Sequence, residues 1–203
     1  MLRVGLTGGI ACGKSTVAAM LREMGFLVLN ADPLAHRLME PGQPAYAEVL
    51  QEFGRGVCDA QSRIDRTRLA ALVFSDPDAL ERLNEIIHPR VIELIERQLA
   101  EWARVQPGGV AFAEAALIAE ADYDTWLDRL VVAWCRPEQQ RERLLARGFS
   151  LEEAARRIAA QMPVEEKKRL ATDLIDCSGT LEETRRQVEV LAERLRALPQ
   201  NHS

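Results

Sequence analysis

Gly8, four intervening residues and then Gly13-Lys14-Ser15 lie within "TGGIACGKST", residues 7–16. The spacing G-x-x-x-x-G-K-[ST] suits a loop that wraps phosphate oxygens. Its glycines let successive backbone N–H groups turn inward, and a helix beginning just after the loop aims its positive end at the anion. A lysine at this place neutralises the β and γ oxygens. Gly8, Gly9, Ile10, Ala11, Cys12, Gly13, Lys14, Ser15 and Thr16 therefore form the candidate ATP-binding set, with the Ser15 hydroxyl as a ligand for Mg²⁺. The plainer reading is a glycine turn with a solvated lysine, and the apolar run "RVGLT" directly before the loop argues against it. The dinucleotide pattern G-x-G-x-x-G is absent here.

Kinases, motors and switches share such loops, so the loop implies a triphosphate and leaves the acceptor open. Asp32, in "NADP" at 30–33, follows the second apolar run, on the sheet edge where ligands of parallel strands gather. A carboxylate there can orient or deprotonate an acceptor hydroxyl, and it can equally cap a helix that starts at Pro33. Glu114 ends "VAFAE", where it either holds the water shell of the metal or is a solvated loop acid. Arg156 and Arg157 each follow a glutamate by four residues, Glu152 and Glu153, so surface ion pairs explain them. Arg143 and Arg147 have no such glutamate and stack like charge on like charge, an arrangement that a bound triphosphate would relieve. They mark the stretch around them as a lid. His88, before Pro89, fits a helix junction with local hydrogen bonds, and Met20, Met24 and Met39 fit the core. A thiol beside a helix N-terminus and a lysine ionises readily, which makes Cys12 a candidate for attack by oxidants or by disulfides; a small residue packed under the loop is the alternative.

Such residues need elements to hold them. "RVGLT", the loop and "KSTVAAMLREMG" read as strand, turn and helix, and "FLVLNA" as a second strand, which makes a β-α-β unit with a right-handed crossover. "GVAFA", "RLVVAW" and a weaker "DLIDC" extend this to a five-stranded parallel sheet in an α/β three-layer domain. The chain then divides into a nucleotide-binding core (1–32, 108–136 and 171–198), a helical insertion (33–107) large enough to be a substrate-facing subdomain, and a lid (137–170). Breaks at "EPGQP", "FGRG", "SDPD" and "HPR" are expected to cut the insertion into several short helices. The polar tail "PQNHS" is expected to fray.

At 203 residues the chain suits one domain, and its 5% aromatic content against abundant Leu, Ala, Glu and Arg favours helix. A net charge of -5 does not suit a nucleic-acid or acidic-membrane surface, so phosphate must be met by local basic clusters. The four cysteines form no C-x-x-C pair and only three histidines accompany them, which disfavours zinc. "MLRVGLTGG" leaves no room for a leader, and no run nears the roughly 20 apolar residues of a membrane span. Reduced thiols in a cytoplasmic protein are the expectation.

The loop, "NADPLAHRL", "VFSDPDALERLNEIIHPRV", "DRLVVAWCRPEQQRERLLAR" and "IAAQMPVEEKKRLATDLIDCSGTLEET", taken in order, resemble the dephospho-coenzyme A kinase family nearly end to end. The resemblance implies a P-loop kinase fold and transfer of the γ-phosphate of ATP to the ribose 3′-hydroxyl of dephospho-coenzyme A. It further implies that Lys14 and Ser15 bind triphosphate and Mg²⁺, that Asp32 is the general base, that the insertion at 33–107 holds the acceptor, that Arg143 and Arg147 belong to the lid, and that Ser178-Gly179 lies near the adenine. A small nucleoside or nucleotide kinase and a nucleotide-binding switch are the alternatives the residues leave. Ala11-Cys12 stand where the family has G-S, Asn30 replaces an aspartate of D-A-D, and Glu114 to Ile118 replace D-x-P-L-L with Ala116 at the proline. Cys177 replaces an asparagine, and Gly148 an aspartate.

Overall fold

The computed structural model describes residues 1–116, 118–120 and 126–198. The tail at 199–203 and Leu117 of the altered D-x-P-L-L stretch lie outside the described residues. Five strands, β1 (Leu2–Gly8), β2 (Leu27–Asn30), β3 (Val110–Glu114), β4 (Arg129–Trp134) and β5 (Asp173–Asp176), form one sheet in the order β2-β3-β1-β4-β5. Each of the apolar runs expected to be a strand is one. Every pairing is parallel, with Val4 opposite Phe112 on one side of β1 and Thr7 opposite Val132 on the other. The carboxyl ends of all five strands therefore share one edge.

The chain divides into two compact units, one of residues 1–30 with 97–203 and one of Ala31–Glu96. In the first, α1 (Lys14–Glu23) and α9 (Leu181–Ala197) place Val17, Ala18, Leu21, Val188, Leu191 and Leu195 in one core with Val4, Leu6, Phe112, Val131 and Ile175 of the sheet. These helices show apolar residues at three- and four-residue spacing, and burying that stripe on a sheet face is what holds them. Phe26 meets Phe112 edge to face, with centroids 5.4 Å apart. The same unit carries α6 (Pro137–Ala146), α7 (Leu151–Ala159) and α8 (Val164–Leu170). Ser150 and Glu153 form a capping box that starts α7.

The second unit holds α2 (Ala31–Leu38), α3 (Tyr46–Phe53), α4 (Arg66–Val73) and most of α5 (Pro77–Val105). Asp65 caps α4 by accepting from the N–H groups of Thr67 and Arg68. Chain breaks fall at "EPGQP", "FGRG" and "SDPD" as expected, but "HPR" is no break: α5 runs for 29 residues with Pro89 inside it. Proline removes one N–H and crowds the carbonyl four residues back, effects that normally kink a helix. Beside Pro89, the guanidinium of Arg90 donates to the Ile86 carbonyl at 2.6 Å and pairs with Glu48 of α3. No helix among the described residues is long and apolar enough to cross a membrane.

Candidate nucleotide-binding site

β1 ends at Gly8, whose missing side chain is a packing requirement, because a Cβ there would fall on the Ala133 carbonyl oxygen of β4. The chain then turns through Ala11 at φ +60° and Gly13 at φ +99°, both in the left-handed region, before α1 begins at Lys14. An alanine in that region is strained by about 1–2 kcal/mol. The Ala11 methyl is held there by packing with Leu144 of α6 and Ala154 of α7. No side chain caps α1, so its N-terminal end faces outward from the loop without a protein oxygen of that kind on it. That is the arrangement an anion-binding helix end requires.

Lys14 and Glu114 meet at the carboxyl edge of the sheet. Glu114 is 1% exposed; its Oε1 lies 3.4 Å from Lys14 Nζ, and its Oε2 accepts from Arg22 at 3.1 Å. Sequence spacing placed Lys14 on phosphate and Glu114 on the water shell of a metal or in solvent. The burial of Glu114 between two cations excludes the solvated-acid reading. Arg22 was not singled out, since one arginine on the surface stripe of a helix carries no distinguishing signal. Ser15 is exposed on the first turn of α1, where its hydroxyl is open to a cation.

The stretch 137–170 grips the loop from the other side. Gln140 Nε2 donates to the Ile10 carbonyl at 2.8 Å, and the Ile10 N–H donates to Gln161 Oε1 at 2.8 Å. Arg143 donates to the carbonyls of Ala11, at 3.2 Å, and Cys177, at 2.8 Å. Its charge is thus seated on two carbonyl dipoles. Arg147 ends α6 as its C-cap, a place where the helix dipole favours a cation and offsets the expected repulsion from Arg143. Both arginines line a cavity of about 260 Å³ with Ala11, Gly13, Cys177 and Gly179. Ser178 adjoins this wall, its carbonyl accepting from Gln139 at 2.8 Å. Lys167 of α8, hidden in the sequence within the charged run "EEKKR", is fully buried and donates to the Ala116 carbonyl at 2.7 Å. The Thr7 hydroxyl donates to the same oxygen at 3.0 Å. Neither glutamine, nor Lys167, could be separated from solvated neighbours by spacing alone. Of the two expected surface pairs, Arg156 meets Glu152 at 2.8 Å; Arg157 stacks over Phe149 at 4.4 Å.

Cys12 is fully buried, which removes it from the reach of bulky disulfides such as that of coenzyme A. The Cys135 thiol donates to its sulfur at 3.4 Å. That hydrogen bond holds the Cys12 thiol below its ordinary pKa against the opposing effect of burial, and pushes Cys135 up. Burial pushes Cys177 up to about 11.

Asp32 belongs to the second unit and lies within the first turn of α2, which starts at Ala31, so the expected helix start at Pro33 and a capping role ahead of it are corrected. An acid in a first turn is favoured by the helix dipole, so the position needs no capping bond to be stable. By chain position it follows β2 by two residues, and Asn30 at the end of that strand is in register with Glu114. His36, one turn further on, has its pKa lowered by burial and by Arg66, with Asp32 acting in the opposite direction.

Residues 2–183 match the family model described as dephospho-CoA kinase. A dephospho-CoA kinase of Aquifex aeolicus is 43% identical over 198 residues, covering 96% of this chain and 98% of its own. The crystal structure of TT1252 from Thermus thermophilus superposes with a TM-score of 0.77 at 35% identity, covering 96% and 97%. A dephospho-CoA kinase from Campylobacter jejuni shares the fold at a TM-score of 0.69 and 24% identity, with 96% of each chain covered. With its parallel sheet, its phosphate loop between β1 and α1 and this nearly full-length match, the chain belongs to the dephospho-CoA kinase family.

Proposed function

We propose that this chain transfers the γ-phosphoryl group of ATP to the ribose 3′-hydroxyl of dephospho-coenzyme A, giving coenzyme A and ADP. The observation that carries the reading is the uncapped N-terminus of α1, flanked by Lys14 and by a cavity walled with Arg143 and Arg147. In the proposed reaction Lys14 exchanges Glu114 for the β and γ oxygens, while loop N–H groups and the two arginines surround the remaining charge. Ser178-Gly179 borders the adenine, and residues of 33–107 hold the acceptor. Asp32 accepts the proton of the attacking hydroxyl.

Mg²⁺ fits the exposed Ser15 hydroxyl. It fits Glu114 less directly, because that carboxylate already carries two cationic neighbours, and Oε1 would be available to hold the metal's water shell only once Lys14 had left it. When bound, the ion neutralises charge on the phosphate oxygens. We assign the protein to the cytoplasm, consistent with four free thiols among the described residues.

The test is ADP release in a coupled assay with dephospho-coenzyme A and adenosine compared as acceptors. Turnover with dephospho-coenzyme A and little with adenosine is expected. Equal turnover with both acceptors would refute the assignment of the acceptor, and tight nucleotide retention without turnover would point to a switch.

A further inference from the structure

Three cysteines that the proposed chemistry does not use converge at the strand ends. Cys12 lies in the loop after β1, Cys135 one residue past β4 and Cys177 one residue past β5. The sulfurs of Cys12 and Cys135 are 3.4 Å apart, and both residues are buried. Cys177 packs against the loop, since a Cβ at Gly13 would lie 2.9 Å from its sulfur. Cys58 belongs to the other unit. We infer that Cys12 and Cys135 form an oxidation site that closes into a disulfide, with hydrogen peroxide as the oxidant.

Size selects the oxidant. Cys12 has no exposed surface, but both its neighbours, Ala11 and Gly13, line the cavity of about 260 Å³ and carry no side chain beyond a methyl group. A molecule scarcely larger than water passes such a wall with small loop movements, whereas a peptide or nucleotide disulfide does not. The chemistry then orders the two thiols. Cys12 receives the hydrogen bond from Cys135, which favours its thiolate, while Cys135 and Cys177 stay protonated. The Cys12 thiolate attacks one peroxide oxygen; the O–O bond breaks, an S–OH bond forms, and hydroxide leaves as water with the proton Cys12 gave up. The Cys135 sulfur next attacks the sulfenic sulfur, the S–O bond breaks, and the hydroxyl departs as a second water with the proton of Cys135. Two thiols lose two electrons, and one peroxide becomes two waters.

The bond changes the loop. Closing 3.4 Å to about 2 Å draws Cys12 toward β4 and shifts Ala11 and Gly13, the two left-handed residues on either side. Displacement of catalytic groups by about 1 Å lowers turnover about 10²-fold. That consequence rests on the ATP reading of the site; formation of the disulfide does not.

The experiment therefore reads the bond directly. Reduced full-length protein without nucleotide is treated with hydrogen peroxide, its remaining thiols are alkylated, and tryptic peptides are weighed. The expected product joins the peptide of residues 4–14 to that of residues 130–141, since trypsin does not cleave before Pro137, is cleaved by dithiothreitol, and leaves Cys58 and Cys177 alkylated. Cys135→Ser, whose hydroxyl can still donate to Cys12, is expected to keep basal activity, to show no joined peptide, and to carry Cys12 on to the irreversible sulfinic acid, whereas Cys135→Ala, which also removes the donor, is expected to show no joined peptide and slower oxidation of Cys12. A joined peptide between Cys12 and Cys177, or oxidation of Cys12 that Cys135→Ala leaves unchanged and reversible, would overturn the inference, as would no oxidation of Cys12. If the bond forms in the free protein while Mg-ATP fails to slow it, the thiol pair stands and the nucleotide reading of the cavity falls.

Discussion

Replacing Glu114 by Gln removes a negative charge that bridges Lys14 and Arg22 while keeping the shape of the side chain. At separations of 3.4 and 3.1 Å, each attraction is about 5 kcal/mol at an effective dielectric near 20, most of it offset by the cost of taking the groups out of water. The two cations do not contribute equally. Arg22 is 42% exposed and can turn into solvent, so its share is about 1 kcal/mol or less. Lys14 is only 11% exposed, and separating it from a carboxylate that is 1% exposed belongs near the lower end of the range for a broken buried pair, about 3 kcal/mol. For a domain of this size that corresponds to a fall in Tm of roughly 6–12 °C. The same calculation gives a second, sharper expectation. If Lys14 moves to the triphosphate on binding, a saturating non-hydrolysable ATP analogue should narrow the gap between parent and variant to about 1 kcal/mol, because the lysine then has a phosphate beside it in both proteins. Thermal and urea denaturation with and without the analogue measure this. A variant within about 0.5 kcal/mol of the parent would refute the energetic reading of the triad. An undiminished gap in the presence of the analogue would show that Lys14 does not change partners.

Asp32→Asn keeps size and hydrogen-bonding capacity but removes the proton acceptor, so kcat should drop by about 10²-fold or more with Tm and ATP affinity nearly unchanged; survival of turnover would leave Asp32 with a helix-terminal role alone. Arg147→Ala should raise KM for ATP, with little change for the acceptor. In the empty protein the lost C-terminal dipole contact and the relieved repulsion from Arg143 are both a few tenths of a kcal/mol, so a Tm change above a few degrees would contradict that balance. His36 has a folded pKa below its ordinary value of 6.5, so the unfolded chain binds more protons in the window just under that value. Stability is then full above pH 6.5 and declines as pH falls toward the folded pKa. His36→Gln should flatten that part of a stability-against-pH curve, and an identical slope in parent and variant would exclude His36 as its source.

The sheet and the phosphate loop were legible in the sequence because both depend on local pattern. An apolar run bounded by glycine reads the same in any context, and Gly13-Lys14-Ser15 announces a helix start with an unsatisfied N-terminus. What escaped notice depends on the third dimension. Gln140 and Gln161 hold the two backbone groups of Ile10 across more than a hundred residues of sequence, and nothing in "PEQQRER" or "AAQMP" marks one glutamine for that task. Lys167 looks like its neighbour Lys168, yet one is fully buried while the other pairs with Glu165 and stacks over Trp134. Pro89 differs in the opposite direction, because the local rule for proline is strong while the packing of a 29-residue helix is visible only once it is folded. The lysine and the helix end beside Cys12 are local in the sequence, whereas the thiol that hydrogen-bonds to it belongs to Cys135, more than a hundred residues away.

The oxygen shared by Thr7 and Lys167 bears on how this chain tolerates its departure from the family at position 116. Where the family pattern has proline, this chain has alanine, which suggests a different corner after β3. Yet the atom that ties β1 and α8 together is the main-chain carbonyl of that residue, and alanine and proline present the same carbonyl. Proline differs by lacking an N–H, which neither Thr7 nor Lys167 uses. Drift at this site is therefore close to invisible to the contact that matters, while a change at Thr7 or Lys167, each looking ordinary in the sequence, would sever it.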